Sequence, residues 1–369
     1  MKEKILLVTL EGLINFGNRL QHYALQTAIE KCGFQVNSLM VKRQPVVSIK
    51  TKLKRMIKKT FAFFGNKKMI YSLSKEDRAE RFIDFNNKHI HNAIHISVDQ
   101  VRCFNWEEYA FAVTGSDQVW HNWHTDAIPN ELSYYYLEFV EKKKRISYAP
   151  SFGFTSFPEE DLESHRRGLS EMQALSCREK EGCELIEQLT GRKAKNVLDP
   201  TLLLTVSDWT SIEEQPSFIM PNQYVLLVFL GEITYDYQEE ISRIATERGL
   251  ETLNINNLLD SKYFAVSPEE FIWLVRHAEV VCTDSFHASV FSIIFERNLR
   301  VFKRKQPGFE EMFGRIYDLL SPLGLIELVY GEGERLSTTL NEEAYTLLES
   351  ARENSFAYLQ TNLNMMANS

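Results

Sequence analysis

Cysteine is scarce and unpatterned. There are five in 369 residues, an odd number (Cys32, Cys103, Cys177, Cys183, Cys282), with no C-x-x-C spacing. This argues against a structural zinc site and for a reducing cytosol. Cys282 falls in an apolar stretch, where a thiol acts as a small hydrophobe. No apolar run approaches the roughly 18 residues that span a bilayer. The first ten residues read as a strand, not as a signal peptide. G-x-S-x-G, H-E-x-x-H and the P-loop are missing, and with them the defining residues of hydrolases, zinc proteases and NTPases. The loop Glu11-Gly-Leu-Ile-Asn-Phe-Gly-Asn18 is not G-x-G-x-x-G, so dinucleotide binding is rejected. No internal repeat or low-complexity run occurs.

Acidic residues are missing from one segment. Between Lys42 and Lys68 stand ten Lys or Arg and no Asp or Glu, although the whole chain carries a net charge of -8. Within it Thr51 to Phe64 plots as an amphipathic helix. Leu53, Met56, Ile57, Phe61 and Phe64 share one face, and Lys52, Lys54, Arg55, Lys58 and Lys59 lie around the other. Such a helix, spanning about residues 50–64, suits a membrane interface, where each basic residue near anionic lipid contributes about 1 kcal/mol. The plain alternative is a helix packed on its own domain with a solvated basic face. Nucleic acid is not expected, because the acidic remainder repels phosphate. Co-sedimentation with anionic vesicles is the expected result, and equal binding after Lys54, Lys58 and Lys59 are changed to Glu would refute it.

What is present is a soluble globular composition, 44% hydrophobic and 25% charged, on a chain long enough for two domains. A strand from Lys4 to Leu10, a helix from Arg19 to Cys32 and a strand from Phe34 to Val41 make a βαβ unit. The first half is therefore a mostly parallel, doubly wound sheet. Residues 42–95 break the pattern as an insertion. Strands at Phe111–Thr114, Arg145–Ala149, Ala174–Cys177 and Ala194–Leu198 follow, with helices at Leu162–Leu169 and Glu179–Leu189. The alternation restarts with strands at Tyr224–Leu230 and Leu250–Ile255 and helices at Gln238–Arg248, Pro268–His277 and Phe309–Leu320. A helix from Leu340 to Leu359 packs back. The expected domains are 1–205 and 206–369, facing each other across a cleft.

One stretch, Glu279 to Phe302, organises the chemistry. It reads as a buried strand, a polar corner, an apolar helix and a second strand. Asp284 or Ser285 can cap the helix, which places His287 in its first turn. Ligands of open α/β sheets bind at the carboxyl ends of strands. Four such ends carry polar residues: Asn15, Asn18 and Arg19; Ser116 to His121, after Gly115; Arg178; and Asp284 to His287. Arg178, at a strand exit, presents a fork for carboxylate or phosphate. His287 near a helix N-terminus is expected to stay a neutral base. Asp117 is placed to orient a sugar hydroxyl or to cap the next turn. A Tyr- and Trp-rich loop follows (Trp123, His124, Tyr134, Tyr135, Tyr136). His89, His91 and His95 alternate as on a strand face but lack matched carboxylates, and no metal is expected.

The ordered motifs Asn15-Phe-Gly-Asn-Arg-Leu-Gln-His-Tyr-Ala-Leu-Gln26, Gly115-Ser-Asp-Gln-Val-Trp120, Ser147-Tyr-Ala-Pro-Ser-Phe-Gly153, Ser176-Cys-Arg-Glu-Lys-Glu-Gly182, Leu198-Asp-Pro-Thr-Leu-Leu-Leu204 and Thr283-Asp-Ser-Phe-His-Ala-Ser-Val-Phe-Ser-Ile-Ile294 together resemble the polysaccharide pyruvyl transferase family. The resemblance implies a GT-B-like fold and transfer of pyruvate from phosphoenolpyruvate to two hydroxyls of a sugar, with no cofactor. It places the acceptor on the first domain and the donor on the second. It makes His287 the catalytic histidine and Arg178 the anion-binding arginine, and it matches the turn of Gly115, Ser116 and Asp117 to a loop lining the cleft; Gln118, next in the chain, is a further substrate-binding candidate. Members often carry a basic residue two positions before the histidine, where this chain has Ser285. Lys303, Arg304 and Arg315 are the substitutes. The implied acceptor is a surface polysaccharide or polyprenyl-pyrophosphate-linked saccharide, with a 4,6-ketal on a galactose-type residue as the favoured product. The implied location is the cytoplasm, at the inner face of the membrane. A nucleotide-sugar glycosyltransferase and a non-catalytic carbohydrate-binding protein are the alternatives.

Overall fold

The structure is a computed structural model that describes residues 2–12, 14–41, 58, 67–123, 128, 130–306 and 313–367. The basic helix expected at 51–64 and His124 lie outside these residues, apart from Lys58, which pairs with Glu76.

Two parallel sheets organise the chain. The first has the order β3-β2-β1-β4-β5, from strands β1 Lys4–Val8, β2 Gln35–Val41, β3 Ile94–Ile96, β4 Phe111–Thr114 and β5 Arg145–Ser147. A two-stranded annex, β6 Ser176–Cys177 with β7 Lys195–Asn196, touches it through a bridge between Ile146 and Ala174. The second sheet has the order β11-β10-β8-β9, from β8 Tyr224–Val228, β9 Glu251–Asn254, β10 Val280–Thr283 and β11 Asn298–Val301. The strands β4, β8 and β10 are buried along their whole length, as parallel strands covered on both faces must be.

Helix α1 (Phe16–Lys31) starts three residues before the expected Arg19. Asn15 caps it by accepting from the Gly17 N–H at 2.9 Å, which draws Asn18 and Arg19 into the first turn. Part of the segment read as an insertion belongs to the sheet: α2 (Lys67–His89) leads into the edge strand β3. This corrects the histidine pattern as well. His89 ends a helix against Glu269, His91 is exposed near Glu30, and only His95 lies on a strand. Among the described residues no group of three His, Cys, Asp or Glu could hold a metal, and no helix is long and apolar enough to cross a membrane.

Helices of the first half pack into the apolar core of the second sheet. Phe16 of α1 stacks on Phe271 at 4.4 Å, and Phe82 and Phe85 of α2 join the same cluster as Phe291 and Val281. Arg78 of α2 is buried, and its guanidinium donates to the Ile255 and Phe264 carbonyls beyond the junction. Burial pushes it down to about 9. An apolar junction of this kind restrains the relative motion of the halves. The last helix, Glu342–Ala367, packs back as expected: Leu359 and Leu363 cover Ile5 and Leu7 of β1, and the Tyr358 hydroxyl donates to the Ser147 carbonyl at 3.1 Å.

Candidate active site

The stretch from 279 to 302 folds as read, with the capping roles separated. After β10 comes helix α3 (Phe286–Ile294). Ser285 is its cap, with the hydroxyl accepting from the Ala288 N–H at 3.5 Å. Asp284 instead closes the corner on the neighbouring strand. It accepts from the Leu230 and Gly231 N–H groups at 2.7 and 2.8 Å and pairs with Arg304 at 3.1 Å.

These residues wall a cavity of about 140 Å³ between the two sheets. It is smaller than the roughly 300–1,000 Å³ of drug-sized sites, so it suits a small ligand. Of the residues singled out in the sequence, Asn15, Asp117, Gln118, Asp284, Ser285, His287, Arg304 and Arg315 line it, together with Trp123 and Phe313. The others sit elsewhere. Arg19 is fully buried and turned to Asn86, His22 and the Leu10 carbonyl. Lys303 points to Glu332 at 2.7 Å. Ser116 lies beneath, with its N–H on Gln21 and its hydroxyl on Asp199. Gly115 has φ 125°, and a Cβ there would meet the Tyr148 carbonyl at 2.0 Å, so only glycine fits the turn. Asn18 donates to Asp117 at 2.8 Å from behind the wall. Tyr134, Tyr135 and Tyr136 are core residues, so Trp123 alone of that loop's described aromatics faces the cavity.

Arg178 differs most from its expected role. The guanidinium is buried and already engaged, donating to Glu179 at 2.9 Å, Asp199 at 2.8 Å and Asp117 at 3.3 Å, with Phe286 stacked 4.6 Å away. It faces a second, larger cavity of about 480 Å³ that shares only Phe286 and Arg315 with the first. Here it braces carboxylates rather than offering an open fork.

Arg315 is the less committed cation. It stands 3.6 Å from Asp117, and its Nε is buried without a hydrogen-bond partner. Burial, helped by the nearby Arg178 and Arg304, pushes it down to about 10 against the pull of Asp117 and Glu179. It therefore stays charged at neutral pH, its desolvation partly offset by Asp117 and Glu179, and its unpartnered Nε is a donor that an anion can satisfy. Around His287, Asp199 is the residue that sequence reasoning passed over. Burial pushes its carboxyl up, but His287, Arg178 and Thr201 outweigh this and hold it well below the usual range. The signal was present in the Leu198-Asp-Pro motif, but nothing local said what the side chain would face.

Paired arginines, a helix N-terminus and an acid–base histidine around a small cavity can hold an anion and exchange a proton with it. The sequence profile of the polysaccharide pyruvyl transferase family matches residues 15–305. No curated protein matches the chain at a significant level. Among solved structures, a Listeria monocytogenes protein described as a UDP-N-acetylglucosamine 2-epimerase superposes with a TM-score of 0.51 at 12% identity, covering 98% of this chain and 91% of its own. The UDP-GlcNAc 2-epimerase of Neisseria meningitidis gives 0.44 at 9% identity, covering 97% and 94%. The E. coli ADP-heptose lps heptosyltransferase II gives 0.31 at 10%, covering 96% and 98%. The likeness to the Listeria protein is one of fold: two Rossmann-like halves in the GT-B manner.

Proposed function

Because the chain belongs to the polysaccharide pyruvyl transferase family, we propose that it transfers pyruvate from phosphoenolpyruvate to two hydroxyls of one saccharide residue, releasing phosphate. The observation that supports this donor is the cavity itself, where Arg304 and Arg315 flank His287 at the start of α3. His287 gives a proton to the methylene carbon of the donor, and C2 becomes electrophilic. A sugar hydroxyl adds to C2 and returns its proton to His287. The second hydroxyl then attacks C2 as the C2–O bond to phosphate breaks; its proton leaves with the departing phosphate, and the ketal closes. Arg315 and Arg304 hold the donor's carboxylate and phosphate as charge develops. They are the cations of this chain that take the part of the basic residue relatives often carry where it has Ser285. Asp117 and Trp123 present the acceptor. A galactose-type residue forming a 4,6-ketal, on a polyprenyl-pyrophosphate-linked saccharide, is the acceptor this reading favours. Docking at the inner face of the membrane through the basic segment accords with it.

The test is incubation with phosphoenolpyruvate and a panel of aryl and lipid-linked glycosides, reading phosphate release and acceptor mass. A product heavier by one pyruvyl ketal is expected. No pyruvylated glycoside, together with binding of a sugar nucleotide by titration calorimetry, would overturn the reading in favour of a glycosyltransferase. Arg315→Ala is expected to raise the KM for phosphoenolpyruvate roughly 10- to 150-fold, since a hydrogen bond to a charged group contributes about 1.5–3 kcal/mol. An unchanged KM would remove Arg315 from the donor site.

A further inference from the structure

His287 has two ring nitrogens in different surroundings. Nε2 is buried without a hydrogen-bond partner and faces the Asp199 carboxylate at 3.6 Å. Nδ1 lies against Gly17, where an added Cβ would sit only 2.1 Å away. Glycine in the first turn of a helix costs about 1 kcal/mol against alanine, yet here no side chain would fit. That point lies 2.6 Å from both Cγ and Cε1, so it sits over the ring face: a carboxylate meets one edge of the ring and bare backbone packs on its face. Asn15, two residues before Gly17, is part of the cavity wall.

Asp199 cannot swing away. One of its oxygens accepts from the Thr201 N–H at 3.0 Å and the Thr201 hydroxyl at 2.7 Å. The other accepts from Arg178 at 2.8 Å and from the Ser116 hydroxyl at 3.3 Å. The carboxylate is an acceptor only, and a neutral imidazole has one N–H and one lone pair. A lone pair on Nε2 would face a fixed negative charge, whereas an N–H there faces an acceptor.

We propose that Asp199 is the positioning residue of His287, holding the imidazole as its Nε2–H tautomer so that Nδ1 is the nitrogen exchanging protons with substrate. The pairing joins a residue of the segment between the sheets to one of the second sheet's first helix turn. The contact is just too long for a hydrogen bond, and such contacts tighten as substrate binds and charge develops on the ring. The same carboxylate stabilises the imidazolium that gives the first proton from Nδ1 and is restored when the sugar hydroxyl returns it, the part a buried aspartate plays beside other catalytic histidines. The charged groups around the pair are Arg178 on the Asp199 side and Asp117, Asp284, Arg304 and Arg315 around the cavity. The catalytic half of this inference rests on the proposed reaction; the tautomer does not.

The test begins with the unaltered protein, labelled with ¹⁵N-histidine and measured at stepwise rising pH until the ring nitrogen signals are those of a neutral imidazole. The His287 signal, assigned by its loss in His287→Gln, is expected to show Nε2 protonated and Nδ1 bare. The opposite tautomer overturns the proposal, even if no Asp199 variant folds. Asp199→Asn is then expected to lose that tautomer, to lower kcat roughly 10²- to 10⁴-fold and to move the basic limb of the kcat/KM profile, with the donor KM little changed. A folded Asp199→Asn protein that keeps both tautomer and pH profile also overturns it. An Nε2–H tautomer in a protein that pyruvylates no glycoside supports the positioning role and refutes the reaction proposed above.

Discussion

Replacing His287 by Gln is expected to reduce kcat for pyruvyl transfer by roughly 10²- to 10⁴-fold, the range that a positioned acid–base group contributes. The donor KM should change little, because anion binding is assigned to Arg304 and Arg315, which the substitution leaves in place. Glutamine fills similar space and keeps a polar head beside Asp199, so the cavity walls are preserved. The effect follows from the first step: carbon is protonated slowly without a well-placed acid, and solvent is displaced from a cavity of about 140 Å³. Steady-state kinetics with phosphate release as the readout decides it. Activity within threefold of the parent would mean that another group supplies the proton. A KM effect alone would make His287 a binding residue.

The second large effect is on stability. Arg178→Leu is expected to destabilise the fold by about 3–5 kcal/mol, the usual cost of removing one partner from a buried ion pair. Three carboxylates meet this guanidinium, and Asp199 is fully enclosed. An exposed pair such as Lys4 with Glu108 lies at the other extreme, where a loss of at most about 1 kcal/mol is usual. The sign of the pH dependence follows from Asp199. Its folded-state value is depressed, so its contribution is present above an unfolded value of about 3.9 and fades only as pH falls through the depressed one. Without Arg178 the carboxylate is easier to protonate, so the gap between variant and parent narrows on acidification. Denaturant midpoints at neutral pH and near pH 4 measure it. A gap below 1 kcal/mol, with loss of donor binding, would instead make Arg178 the open anion fork that its place in the sequence suggests.

Periodicity and punctuation were enough for the two parallel sheets, the returning last helix and the strand–corner–helix at Val280 to Ile294. These features depend on neighbours within a few residues: buried strands are continuous apolar runs, and Ser285 precedes its helix as a cap should. Family motifs were enough to bring His287, Asp117 and Asp284 towards one cleft. Pairing across distance was not legible. Arg19, Arg178, Lys303, Arg304 and Arg315 are alike as letters. Which of them meets an anion depends on carboxylates contributed from elsewhere in the fold. Arg178 is spent on Asp117, Glu179 and Asp199, Lys303 is turned to Glu332 and Arg304 meets Asp284 at the cavity wall, while Arg315 keeps a buried Nε unpartnered. Asp199 and Gly17 were invisible for the same reason, since each matters through a ring that lies far away in the chain. Local order is encoded locally, but the charge state and orientation of a buried group are set by whatever the folded chain places against it.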